Sequence, residues 1–147
     1  MIKMLKRYNA WKDSWSDPES ITLDSYVSFN IHPEDALITY DVLFQEFIQI
    51  DECVFLKKHF DEANYKSWQD KLDNNAQIEK VINHIHLYDV FANCQDNVED
   101  DIFEALAEKV GYFWRLRLSN EFPDKNFIVE VSNTDQNYGP EVVFYQK

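Results

Sequence analysis

Two β-branched runs near the C-terminus constrain the fold of this chain more than any other feature. Residues 127–131 (Phe-Ile-Val-Glu-Val) and 141–145 (Glu-Val-Val-Phe-Tyr) are the clearest strand signals, because β-branched and aromatic residues favour extended backbone. The connection over 132–140 is rich in Asn, Asp and Gly and predicts a β-hairpin with a long loop. A two-stranded hairpin is marginal by itself in water, so this one must pack on other elements.

Most of the remaining chain has the apolar spacing of helices. This spacing predicts four helices: one over about 34–49, a second that begins after the N-cap residue Asp61, a third that begins near residue 75, and a fourth over about 98–121. The third of these is expected to carry its apolar period through Ile85. Gly111 lies within the apolar stripe of the last helix, where its missing side chain is expected to admit a close neighbour.

Two shorter segments complete the predicted fold. Residues 26–31 alternate between apolar and polar, with Val27, Phe29 and Ile31 on one side, which predicts a strand that could join the hairpin. Residues 53–56 fit either a buried strand or the approach to a turn. We therefore predict one α+β domain over 1–147, mainly helical, with a small antiparallel sheet that includes the C-terminal β-hairpin.

Composition excludes several classes of function. The chain of 147 residues has 14 basic and 27 acidic side chains, a net charge of −13. This charge argues against nucleic acid and anionic membranes as partners, because both attract clustered Lys and Arg. Two glycines cannot form a Gly-rich phosphate loop. Charges interrupt the N-terminal residues and two cysteines show no pairing pattern, so we expect a cytoplasmic protein with reduced thiols.

The segment 83–89 (Asn-His-Ile-His-Leu-Tyr-Asp) contains the candidate metal ligands His84, His86 and Asp89. Two histidines one residue apart can bind the same ion when a strand points both rings the same way. The surrounding apolar period is helical, and side chains at i and i+2 of a helix diverge by about 200°. The sequence therefore predicts no metal and no cofactor.

A different helical stripe is the alternative for this segment. Glu79, His86 and Asp89 could share one helix face and serve a metal-dependent or acid–base enzyme. A hydrogen-bonded polar patch on a half-buried helix is the simpler interpretation, so no catalytic residue is assigned.

The acidic charge is concentrated in two stretches without Lys or Arg, residues 13–56 and 81–108. Solubility alone accounts for such charge, but a negative surface also steers a basic protein partner. Tyr138, in the hairpin loop, is the candidate aromatic anchor, unless its ring folds back over the hairpin. The predicted partner-binding residues are Asp96, Glu99, Asp100, Asp101, Glu104 and Tyr138.

The last 35 or so residues carry a weak family likeness. Trp114-x-x-Arg117-Leu118, Phe122-Pro123-Asp124-Lys125-x-Phe127-x-Val129 and Tyr138-Gly-Pro-Glu-Val-Val-Phe-Tyr145 resemble the C-terminal portion of small uncharacterised bacterial proteins. In size, acidity and aromatic content the chain is similar to bacterial immunity proteins, which neutralise a cognate toxin. This likeness implies no residue roles.

These observations lead to ranked hypotheses. The first is a small acidic cytoplasmic binding protein, a bacterial immunity protein or inhibitor that neutralises a basic protein toxin. The alternatives are the enzyme described above, a DNA mimic whose carboxylates replace phosphates, and a structural protein. The sequence indicates a binding protein rather than an enzyme and leaves the oligomeric state open.

Overall fold

The computed structural model describes residues 4–94, 96–133 and 138–147 in two compact units, Met1–Asp41 and Val42–Lys147. It confirms an α+β fold that is mainly helical with small antiparallel sheets. The helices are α1 (Lys6–Asp13), α2 (Leu23–Asn30), α3 (Pro33–Leu43), α4 (Glu62–Gln69), α5 (Asn75–Ile82), α6 (Leu87–Val90) and α7 (Asp100–Glu121), and a 3₁₀ turn covers Pro18–Ser20. The strands are β1 (Phe47–Ile50), β2 (Cys53–Leu56), β3 (His84–His86), β4 (Phe127–Ser132) and β5 (Glu141–Gln146).

In the N-terminal unit, the strand predicted over 26–31 is wrong, because these residues belong to α2 and its C-cap. Thr22 and Ser25 form a capping box, in which each side chain accepts a hydrogen bond from the other's backbone N–H. The ring of Tyr26 then packs edge-on against Tyr8 and Trp11, at centroid distances of 5.7 and 5.2 Å. Helix capping and these aromatic contacts outweigh the apolar alternation.

The helix predicted over 34–49 ends earlier, at Leu43, and its last residues form β1 instead. β1 pairs antiparallel with β2 from Phe47↔Leu56 to Ile50↔Cys53, across a turn in which Asp51 has φ 52°. All four residues of β2 are buried. The segment 53–56 is therefore a buried strand, one of the two predicted alternatives.

The predicted C-terminal hairpin is confirmed. β4 and β5 pair antiparallel from Phe127↔Gln146 to Ser132↔Glu141, and residues 134–137 of its loop lie outside the described part of the chain. The third strand of this sheet is β3, which pairs with the other edge of β5. The sheet order is therefore β3-β5-β4, and the strand that joins the hairpin comes from 84–86 rather than 26–31.

Helix α7 packs on this sheet, and Gly111 permits the close approach. A Cβ atom at Gly111 would lie 2.5 Å from Cγ2 of Val131, which confirms the expected close neighbour. Trp114 is fully buried between Phe47 and Phe144, and its indole N–H donates to the carbonyl of Leu43 at 3.1 Å. The sheet and α7 thus share one aromatic core.

Two buried polar side chains of the α5 segment hydrogen-bond to β2, and one of them, Glu79, also reaches β5. The Glu79 carboxylate accepts hydrogen bonds from the backbone N–H groups of Val54 (2.7 Å) and Gln146 (2.6 Å). Asn83 accepts from the N–H of Leu56 at 3.0 Å and donates to the carbonyl of Val54 at 2.8 Å. These side chains thus supply hydrogen-bond partners for buried backbone groups of β2.

Candidate functional site

The site begins where α5 ends and the chain turns into β3. Asn83 is the C-cap of α5, and its side chain is fixed to β2, so the helix cannot continue through Ile85. The next three residues pair with β5 in the register His84↔Val143, Ile85↔Val142 and His86↔Glu141. The single helix expected to continue through Ile85 is therefore wrong beyond Ile82, because 84–86 form β3 and a separate short helix, α6, begins at Leu87.

This strand points both histidines to the same face. Ile85 is buried in the core, whereas His84 and His86 are half-buried on the opposite face. Their ring centroids are 5.4 Å apart, in an edge-on arrangement. Side chains at i and i+2 diverge on a helix, but on a strand they point to the same face, so the expected divergence of His84 and His86 is wrong.

Glu141 completes a cluster with the two histidines, which we call the His–His–Glu cluster. Its carboxylate oxygen lies 3.6 Å from Nε2 of His86, directly across the β3–β5 ladder. One potential ligand atom from each of His84, His86 and Glu141 lies within 4.8 Å of the other two. About a quarter of the His86 and Glu141 side chains is exposed, so the cluster is accessible from solvent.

The stripe predicted from Glu79, His86 and Asp89 does not form, because α5 ends before His86. Glu79 is fully buried, and both of its oxygens accept hydrogen bonds from β2 and β5. Asp89 is exposed on the short helix α6. Glu79 is therefore structural, and Glu141 takes the place that the sequence had suggested for Asp89 as a third ligand.

Tyr138 lies beside this cluster on the exposed side. Its side chain is 69% exposed, and its ring centroid lies 6.4 Å from His86 and 5.9 Å from Tyr88. The next residue, Gly139, has φ 74°, and a Cβ there would lie 2.5 Å from the ring of Tyr88. Glycine is thus required both for the turn and for the close packing of Tyr88.

Tyr88 connects Tyr138 to the acidic start of α7. Its hydroxyl donates to Asp100 at 2.5 Å. This hydrogen bond, then desolvation and the negative charges of Asp100 and Glu104, raise the pKa of Tyr88 to about 12. We call these four residues, Tyr88, Asp100, Glu104 and Tyr138, the tyrosine–acid surface.

The structure thus brings three of the six predicted partner-binding residues together. Asp100, Glu104 and Tyr138 lie around Tyr88, a residue that no pattern in the sequence singles out. Asp96, Glu99 and Asp101 are exposed, either just before α7 or in its first turn. The acidic start of α7 is favourable locally, because carboxylates there interact well with the helix dipole.

Comparison of the chain with protein-family models, curated proteins and solved structures finds no match. In the described part of the chain, none of the helices has both the length and the apolar character needed to cross a membrane. The two cysteines are unpaired, Cys53 buried and Cys94 exposed.

Proposed function

We propose that the chain is a small acidic binding protein that takes a basic protein partner on the tyrosine–acid surface. In its most specific form, the proposal is a bacterial immunity protein or inhibitor that neutralises a basic protein toxin in the cytoplasm. The supporting observation is that exposed Tyr138 lies against Tyr88, whose hydroxyl donates a hydrogen bond to Asp100 at the acidic start of α7. An aromatic anchor bordered by carboxylates suits a Lys- or Arg-rich surface.

The arrangement also favours tight binding, through an ordered aromatic ring, and fast association, through charge. The ring of Tyr88 packs closely against Gly139, and its hydroxyl donates a hydrogen bond to Asp100. The same ring packs on Phe103 with a centroid distance of 4.9 Å. An aromatic side chain that is already ordered loses little conformational entropy on binding. The net charge of −13 adds a long-range attraction for a basic partner and repels acidic competitors.

Affinity capture tests the proposal. The immobilised chain should recover a basic protein from a lysate of the organism that encodes it, and 500 mM NaCl should reduce the recovery. Asp100→Asn with Asp101→Asn should lower recovery, because two charges are lost while the amide oxygen introduced at position 100 still accepts from the hydroxyl of Tyr88. Tyr138→Ala should also lower recovery. Recovery of no basic protein would contradict the proposal.

A matched control removes the same charge elsewhere. Asp70 and Asp73 are exposed in the connection between α4 and α5, and Asp73 borders an open groove with Gln146. Gln146 and Glu141 are at opposite ends of β5, about 17 Å apart at the usual rise per residue. Asp70→Asn with Asp73→Asn should leave recovery nearly unchanged, whereas an equal loss in both double variants would indicate a nonspecific charge effect.

A further inference from the structure

We propose that His84, His86 and Glu141 bind a divalent first-row transition metal ion, for which zinc is the probe. The inference is independent of the proposed partner, since it concerns the metal-free chain and the ion alone. It reverses the expectation from the sequence that the two histidines diverge and that no metal is bound.

The backbone supplies the geometry for such a site. β3 places both imidazoles on one face, and the register of β3 with β5 puts Glu141 directly opposite His86. A tetrahedral zinc ion with ligands at about 2.0–2.1 Å separates two donor atoms by about 3.3 Å. The His86–Glu141 separation of 3.6 Å is already close to this value. The widest separation in the cluster is at most 4.8 Å, so an ion would require these donor atoms to approach one another by at most about 1.5 Å.

The His86 ring shows which of its two nitrogen atoms faces the cluster. Among the described residues, its buried Nδ1 atom has no hydrogen-bond partner. Its Nε2 atom is 3.6 Å from the Glu141 oxygen, which is longer than a normal hydrogen bond. A half-buried imidazole is usually held by hydrogen bonds. An ion on Nε2 would bond this ring to the cluster, although it would not supply a partner for the buried Nδ1.

The donor set selects the class of ion. Two imidazoles and one carboxylate suit zinc and neighbouring transition metals, whereas Mg²⁺ and Ca²⁺ prefer sites made of oxygen ligands. Three protein ligands leave a fourth position of a tetrahedral ion for water. Tyr138 borders the cluster, with its ring 6.4 Å from that of His86.

Calorimetric titration of tag-free protein with ZnCl₂ tests the site. A Cys94→Ser background removes the exposed thiol, which could bind zinc by itself. We expect one equivalent of zinc to bind and Mg²⁺ to give no measurable binding at the same concentration. His84→Ala, His86→Ala and Glu141→Gln should each weaken zinc binding at least about tenfold.

The matched control is His32→Asn, because His32 is exposed in the N-terminal unit and an Asn side chain keeps an acceptor for the N–H of Glu34. This variant should bind zinc like the parent. The NMR signals of the histidine rings provide a second readout that does not rely on the heat of binding. Zinc should shift the ring signals of His84 and His86 and leave that of His32 unchanged.

Far-UV circular dichroism identifies any variant that fails to fold, and the isosteric Glu141→Gln tests the site even if an alanine variant does not fold. The proposal is overturned if no zinc binds at 1 mM, if Mg²⁺ competes equally, or if Glu141→Gln and the folded histidine variants bind like the parent. None of these results bears on the basic partner, so the two proposals can fail separately.

Discussion

Replacing Asn83 by alanine tests the connection that places β3. The side chain accepts from the N–H of Leu56 and donates to the carbonyl of Val54, and all three residues are fully buried. Alanine leaves both backbone groups without a partner, and each buried unpaired group costs about 1–3 kcal/mol. The expected loss in the free energy of unfolding is therefore about 4 kcal/mol, a large part of the roughly 5–15 kcal/mol typical of a small protein.

Urea unfolding measures this loss. With an m-value of about 2 kcal/mol/M, a loss of about 4 kcal/mol lowers the midpoint by about 2 M. The control is Asn126→Ala, because the side chain of Asn126 is exposed and such surface changes stay within about 0.5 kcal/mol. A midpoint for Asn83→Ala within about 0.5 M of the wild type, at unchanged m-value, would refute the assignment of Asn83 as the link between α5 and β2.

Two further predictions concern α7 and the exposed side of the sheet. Gly111→Ala should destabilise the fold by about 1–2 kcal/mol despite the better helix propensity of alanine, because its Cβ would meet Cγ2 of Val131 at 2.5 Å. In thermal unfolding, the double variant Gly111→Ala with Val131→Ala should lose less stability than the sum of the losses in the two single variants. Strict additivity of the losses would contradict the contact. Hydrogen bonds from Tyr145 and then Lys80 lower the pKa of Glu130 below its ordinary 4.5, so the stability that Glu130 adds is present above pH 4.5 and is lost as the pH falls through the lowered pKa. Because almost half of the Glu130 side chain is exposed, Glu130→Gln should lower the free energy of unfolding in urea by at most about 1 kcal/mol at pH 7 and by less at pH 3. An equal loss at both pH values would contradict this pH dependence.

Local patterns predict the elements that have long, regular signals. Helix α7 and the hairpin β4–β5 were correctly predicted, because each has its periodicity over many residues and a clear terminator. The alternation at Val27, Phe29 and Ile31 predicts a strand, and this prediction is wrong because the capping pair Thr22 and Ser25 starts a helix there. The capping pair was visible in the sequence, and it was the better signal.

The candidate metal site shows where such reasoning ends. Ile85 fits the inward period of a helix and the inward position of a strand equally well, so periodicity alone could not end α5 at Ile82. What ends it is the bonding of Asn83 to β2. Glu141 lies 55 residues beyond His86, and the register that brings them together depends on the pairing of β3 with β5.

The association rate constant of the captured basic protein tests the central claim most directly. Stopped-flow measurements at 50 and 500 mM NaCl should show a wild-type rate that falls about tenfold or more at the higher salt. At 50 mM, Asp100→Asn with Asp101→Asn should associate several-fold more slowly, and Asp70→Asn with Asp73→Asn should match the wild type. A rate that does not depend on salt, or that falls equally in both double variants, would contradict the assignment of the tyrosine–acid surface as the binding site.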